Sequence, residues 1–160
     1  MGVEIERKYV VVGDGWRSAV DSGSRMTQGY VASDTCSVRI RVRGETASLT
    51  IKGRRQGDTR SEFEYSLPLG DALQMLTELC GTRAIDKTRY RHQLEGFVLE
   101  VDEFHGANEG LVTAEIELPG PEVAVPRLPA WVGTDVTEDD RYYNSHLSAT
   151  PYSEWRHTTQ

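Results

Sequence analysis

A mainly β fold, an antiparallel barrel or sandwich with a few flanking helices, follows from three observations. Eight segments alternate polar and apolar residues with a period of two: residues 4–11, 25–31, 37–43, 47–54, 60–66, 85–93, 97–104 and 111–118. Turn-forming residues separate several of them, as in Arg43-Gly44-Glu45, Gln56-Gly57-Asp58, Glu95-Gly96 and the run Gly106-Ala107-Asn108-Glu109-Gly110. The polar positions of these segments are nearly all ionisable, and their sign is sorted by strand.

Three helical stretches interrupt the strands. Residues 15–21 suit a short, weak helix. Residues 71–80 place Leu73, Leu76, Leu79 and Cys80 at helical spacing, and Gly81 is a natural stop. A third helix is expected over residues 137–148, because Thr137-Glu138-Asp139-Asp140 resembles a capping box with Asp in place of Glu and Pro151 bars continuation. Residues 119–129 carry four prolines and read as an irregular connection; the tail after Trp155 is polar. No internal repeat or composition break divides the chain, so residues 1–160 are expected to form a single domain.

At 160 residues the chain can bury a real core. A hydrophobic fraction of 38% and a mean hydropathy of −0.51 fit a water-soluble protein. No apolar run nears the roughly 20 residues that span a bilayer, and the charged N-terminus lacks a secretory h-region, so a membrane partner is not expected. Cys36 and Cys80 stand far apart in no metal-like spacing, which suits a reduced pair in the cytoplasm. A net charge of −7 argues against a nucleic-acid partner, but a small anion responds to the local field rather than the total.

Alternate strand residues share a face, which resolves the charges. Glu4, Glu6 and Lys8 lie together, opposite Ile5 and Tyr9. Arg39, Arg41 and Arg43 share a face, as do Lys52 and Arg54; Arg60, Glu62 and Glu64; Lys87, Arg89 and Arg91; Glu100 and Asp102; and Glu115 and Glu117. The first, seventh and eighth strands are mainly acidic, and the third, fourth and sixth basic. Like charges at i and i+2 repel unless something neutralises them. The arginine row asks for an anion and the glutamate pairs ask for a cation. A plain sandwich with solvated faces explains any one strand more easily than all seven. A closed eight-stranded barrel with its charged faces turned into a wet lumen explains the whole set.

Such a lumen suits a polyphosphate. Arginine forks grip non-bridging oxygens, lysines supply compact charge, and carboxylates hold Mg²⁺ or Mn²⁺. Phosphoryl transfer needs positioning and electrostatics more than a protein nucleophile. The chain contains no Gly-x-Ser-x-Gly, P-loop or Cys-x-x-Cys motif. His92, His105, His146 and His157 show no ligand spacing, and Trp131 and Trp155 suit packing outside the barrel.

Glu4-Ile5-Glu6-Arg7-Lys8 resembles the ExExK motif of the CYTH-domain, or triphosphate tunnel metalloenzyme, family. Further segments match in order: Gln28-Gly29-Tyr30, Val38-Arg39-Ile40-Arg41, Leu49-Thr50-Ile51-Lys52-Gly53, Glu62-Phe63-Glu64-Tyr65, Lys87-Thr88-Arg89-Tyr90 and Ala114-Glu115-Ile116-Glu117-Leu118. The resemblance covers almost the whole chain and is nearest to the short bacterial branch. It implies an eight-stranded antiparallel tunnel that binds triphosphate and a divalent metal, Mg²⁺ or Mn²⁺. Glu4, Glu6, Glu115 and Glu117 would carry the metal. Lys8, Arg39, Arg41, Lys52, Lys87 and Arg89 would hold the phosphates, with Tyr30 either reaching the lumen or packing. Glu4, Glu6, Glu117 and Lys87 are the expected catalytic set. Glu62, Glu64, Glu100 and Asp102 would touch metal through water or orient the basic side chains.

The activity expected is metal-dependent hydrolysis of inorganic tripolyphosphate to pyrophosphate and phosphate. The short chain leaves no obvious base or sugar pocket. Alternatives are a nucleoside or thiamine triphosphatase, an adenylate cyclase of the class sharing this fold, and a polyphosphate-binding module without turnover. A homodimer is a family-level expectation only.

Overall fold

The computed structural model describes residues 5–54, 61–81 and 84–158. Glu4, Arg60 and the turn Gln56-Gly57-Asp58 lie outside them. The strands are β1 (Ile5–Val11), β2 (Ser24–Val31), β3 (Ser37–Arg43), β4 (Thr46–Lys52), β5 (Glu62–Leu67), β6 (Ile85–Leu94), β7 (Phe97–Phe104), β8 (Val112–Leu118) and β9 (Val132–Asp135). The helices are α1 (Leu69–Glu78), α2 (Asn144–Ala149) and α3 (Tyr152–Trp155). The strands form one antiparallel sheet in the order β5-β4-β3-β2-β6-β7-β8-β1-β9.

The sheet curls until its distant members face each other. Five strands separate β1 from β4 in the sheet order, yet Glu6 of β1 feels the charge of Lys52 of β4. Tyr30 of β2 likewise feels Glu115 of β8. The concave face is polar, as parity predicts. Lys8, Gln28, Lys87 and Asp102 lie on it and are at most 1% exposed. The mainly β antiparallel expectation holds, with two differences. The sheet has nine strands rather than eight, and among the described residues β5 and β9 do not pair, so a seam stays open between them.

The apolar residues lie mostly outside the lumen. Tyr9, Val11, Leu99, Val101, Ala114, Ile116 and Leu118 form the outer face of β1, β7 and β8, covered by Trp16 and by Val123, Val125, Leu128 and Trp131. The 119–129 run is therefore an irregular cover, as its prolines suggest. A second cluster packs α1, through Ala72, Leu76 and the following Cys80, onto the outer side of β3 and β4 at Ile40, Val42 and Leu49. A third gathers Ile85, Phe104, Leu111, Tyr142, Leu147 and Trp155 at one end of the lumen.

The third helix expected over 137–148 is broken. A 3-10 turn covers Asp140–Tyr142, Tyr143 is extended, and α2 starts only at Asn144. Thr137 does not cap it. Its hydroxyl bonds Asp135 Oδ1 at 2.6 Å, and it accepts the Lys8 main-chain N–H at 3.0 Å. Asp139 instead accepts from Arg141 N and caps the 3-10 turn. Residues 15–21 shrink to a 3-10 turn at Gly15–Ser18. β9 was not expected; it adds to β1 through Tyr9–Asp135 and Val11–Val132, where Gly133 lets the chains approach. A Cβ there would stand 2.9 Å from the Val10 carbonyl oxygen.

Gly29 has a similar role on β2. A Cβ there would lie 2.6 Å from Cys80 Cβ and 2.8 Å from its Sγ. The helix end presses on the strand, and β2 in turn presents Gln28 and Tyr30 to the lumen. Gly29→Ala must push α1 outward and is expected to cost about 1–3 kcal/mol, the usual range for overpacking. Urea unfolding measures it; an unchanged midpoint would show that the helix yields freely.

Candidate active site

Strand pairing assembles the acidic wall. Glu6 of β1 stands directly opposite Glu117 of β8, and Lys8 opposite Glu115. Directly opposed side chains have Cβ atoms about 5 Å apart, and like charges in that relation destabilise. Glu6 and Glu117 are both open to solvent. Crowding by the surrounding protein, then the charge of Glu115, raises the Glu6 carboxyl to about 7, although Lys8, Arg89 and Lys52 pull it down. Glu6 is thus short of positive charge despite those three cations. Glu115 is not: Lys8 Nζ reaches its Oε1 at 2.8 Å and Arg89 Nη2 its Oε2 at 3.5 Å. Burial opposes ionisation of Glu115, but Lys8 holds its carboxyl below the ordinary range.

The centre of the lumen is an ion network around Asp102 of β7. Lys87 Nζ approaches Asp102 Oδ2 at 2.8 Å. Arg89 adds a fork, Nε to Oδ1 at 2.7 Å and Nη2 to Oδ2 at 2.8 Å. Arg89 Nη1 also meets Glu100 at 2.6 Å. Burial alone would push the Asp102 carboxyl up, but Lys87 and Arg89 hold it far below its usual value. Burial pulls the Lys87 ammonium down to about 8, against the attraction of Asp102. Asp102 and Glu100 are thus both engaged by basic side chains of β6.

The remaining cations are held differently. Arg39 Nη2 donates to Thr50 Oγ1 at 3.2 Å, which donates to Glu64 at 3.2 Å. The buried Nε of Arg39 has no partner among the described residues. Arg41 donates to Gln28, and Lys52 stands 3.6 Å from Glu62. Burial, then Arg39 and Arg89, pull the Arg41 guanidinium down to about 10. Tyr30 does reach the lumen: its hydroxyl accepts from Gln28 Nε2 at 3.0 Å. Nearer the edges, Arg43 bonds Ser24, Arg54 bonds the Asp34 carbonyl, and Arg91 is exposed.

The segment after β9 packs against two of the lumen's cations. Lys8 Nζ donates to the Tyr142 carbonyl at 3.1 Å and lies 4.4 Å from the Tyr143 ring centre. Lys87 Nζ donates to Asn144 Oδ1 at 3.2 Å. Tyr142, Tyr143, Asn144, Gln28 and Thr50 were all missed as site residues. None carries a charge, the property that sorts the strands, although Gln28, Thr50 and the 136–144 segment all lie within the stretches that resemble the family. His92 and His105 lie on the outer side, bonded to Ala19 and Thr88, and Trp131 and Trp155 pack in apolar clusters.

A curled antiparallel sheet with an acidic wall facing a basic one defines a charged tunnel built for polyanions. The CYTH domain family model matches residues 2–150, and the chain belongs to the CYTH family. The inorganic triphosphatase of Acetivibrio thermocellus is 48% identical over 157 residues, 98% of this chain and 99% of that protein. The inorganic triphosphatase of Nitrosomonas europaea is 34% identical over 151 residues, 91% of this chain and 96% of that one. The crystal structure of an inorganic triphosphatase superposes with a TM-score of 0.69 at 30% identity, covering 94% of this chain and 97% of the other. A protein from Pyrococcus horikoshii OT3, 15% identical with a TM-score of 0.56 over 74% of this chain and 80% of that one, shares the fold.

Asp102→Asn leaves Lys87 and Arg89 buried with too little negative charge, and is expected to cost about 3–5 kcal/mol. The sign with pH follows. Asp102 titrates lower when folded, so its contribution is full above the unfolded carboxylate pKa of about 4 and is lost as pH falls below it. Urea midpoints from pH 7 to pH 3 should drop steeply for the native protein and less for the variant. Parallel curves would deny Asp102 this role.

Proposed function

We propose that this protein hydrolyses inorganic tripolyphosphate to pyrophosphate and phosphate with a divalent metal, Mg²⁺ or Mn²⁺. One observation carries the reading: the Arg39–Arg41 row, held by uncharged partners, shares one lumen with the directly opposed carboxylates Glu6 and Glu117. The near full-length likeness to two inorganic triphosphatases supports it.

The residues fit a hard cation. Glu6 and Glu117 offer directly opposed, solvent-open carboxylates, the oxygen donors such ions prefer. Among the described residues, no three of His, Cys, Asp and Glu converge as a metal cage. Glu6 and Glu117 would therefore hold the ion together with phosphate and water, with Glu4 of the same motif as a further donor and Glu115 supporting through Lys8. A bound divalent ion would neutralise phosphate charge and acidify a coordinated water.

The protein's own part is positioning. Arg39, Arg41 and Lys52 grip the phosphoryl oxygens, and the unpartnered Nε of Arg39 is one donor ready for them. Lys8, Lys87 and Arg89 supply field from positions fixed by Glu115, Asp102 and Glu100. Lys87, lying deepest beside Asn144, places a compact charge where negative charge develops on the reacting phosphoryl group. Glu62 and Glu64 tune Lys52 and, through Thr50, Arg39.

Phosphate release from tripolyphosphate, ATP and thiamine triphosphate, with Mg²⁺ or Mn²⁺, tests the proposal. Tripolyphosphate is expected to be the preferred substrate. Cyclic AMP as the main product from ATP, or tight binding without turnover under either metal, would overturn it. Glu6→Gln and Glu117→Gln should each lower kcat/KM by about 100-fold or more. Glu6→Gln should leave the melting temperature unchanged or higher, because one of three clustered carboxylates has lost its charge. Full activity in both variants would remove the pair from the mechanism.

A further inference from the structure

Arg41 and Arg89 point into the same lumen but are restrained by opposite means. Arg89 is ringed by three carboxylates, Glu100 at 2.6 Å, Asp102 at 2.7 Å and Glu115 at 3.5 Å. Arg41 directs Nε and Nη2 onto one uncharged oxygen, Gln28 Oε1, at 3.0 and 2.8 Å. Gln28 Nε2 donates to the Tyr30 hydroxyl at 3.0 Å, so the amide is anchored at both ends. Gln28 is fully buried, and its backbone is held where α1 presses on Gly29.

A buried guanidinium is ordinarily compensated by a carboxylate, since an unpaired charge is expensive to bury. Glutamate would fit the same space and keep the same acceptor geometry. Glutamine fixes the fork without cancelling its charge. The consequence is visible in the repulsion around Arg41: after burial, Arg39 and Arg89 are what lower its proton affinity. Across the sheet, Arg41 is the direct partner of Gln28 and Arg39 that of Tyr30, so the amide and the phenol brace the arginine row from one side.

We propose that Gln28 is a positioning residue for polyanion binding: it orients Arg41 while leaving its full charge to the ligand, and the neutrality of residue 28 sets the tunnel's affinity. The identity of the ligand as tripolyphosphate rests on the preceding functional reading; the charge argument applies to any small polyanion.

Gln28→Glu separates orientation from charge. The carboxylate can accept the Arg41 fork, and the Tyr30 hydroxyl can turn and donate to it. Gln28→Met keeps the charge on Arg41 but removes the acceptor. Calorimetric titration with tripolyphosphate in chelator, without metal, should rank affinities native, then Met, then Glu, with the Glu variant weakened at least tenfold. Melting temperatures without ligand should rank differently, with the Glu variant equal to or above native and the Met variant below. A merely structural glutamine would make stability and affinity fall together. The proposal is overturned if Gln28→Glu binds within twofold of native, or if it unfolds, because added compensation should not destabilise a crowded arginine row. Native protein that binds tripolyphosphate but does not hydrolyse it would sink the enzymatic reading and leave this one intact. Native protein that binds no polyanion would sink both.

Discussion

A single carboxylate shared by two cations underlies the charged interior. Asp102 accepts from Lys87 and from the Arg89 fork at 2.7–2.8 Å, with almost no access to water. Buried charges are tolerated only when paired and hydrogen-bonded. Without this anchor, Lys87 and Arg89 would be buried side by side on β6 with far less to oppose their charge. The neighbouring pairs extend the pattern: Arg89 continues to Glu100 and Glu115, and Glu115 to Lys8. The chain of alternating charge runs from β6 through β7 and β8 to β1, following the sheet order. It organises the half of the lumen that needs no ligand to be electrically complete.

The other half is organised without such cancellation. Arg39 leans on a hydroxyl and Arg41 on an amide. At the far side, Glu6 and Glu117 oppose each other in the open. The lumen therefore combines a compensated centre with arginines on β3 held by neutral partners and opposed carboxylates on β1 and β8. A linear phosphate chain and a divalent ion are complementary to those two groups.

Much of this was legible in the residues because a strand has only two faces. Once Glu6 and Lys8 share a side, so do Arg39 and Arg41, Lys87 and Arg89, and Glu115 and Glu117, and six of the eight expected strands keep their bounds within one or two positions; the first and fifth begin outside the described residues. What parity cannot supply is the partner across the lumen. The engagement of Glu115 by Lys8 comes from pairing register, and the role of the Tyr142 carbonyl comes from a main-chain atom that no side-chain pattern reports. The expected third helix rests on Thr137 and Asp140 as a capping box, but Thr137 bonds instead at a strand end, and Asp139 caps a 3-10 turn that starts at Asp140. β9 was hidden by its four-residue length, its glycine and the prolines before it.

The placement of the apolar clusters has a mechanical consequence. The acidic strands β1, β7 and β8 are backed by one cluster, and the cationic β3 and β4 by another under α1. Between these two bodies run the backbone ladders of β2 and β6, while the interior contact is made by ions and hydrogen bonds. Hydrocarbon packing resists separation at short range only and is indifferent to salt, whereas charge acts over longer distances and is screened. The bore of this protein is thus polar on its inner side and backed by hydrocarbon on its outer side: a charged guest between the walls exchanges ions and hydrogen bonds, and leaves the apolar clusters beneath α1 and Trp16 buried.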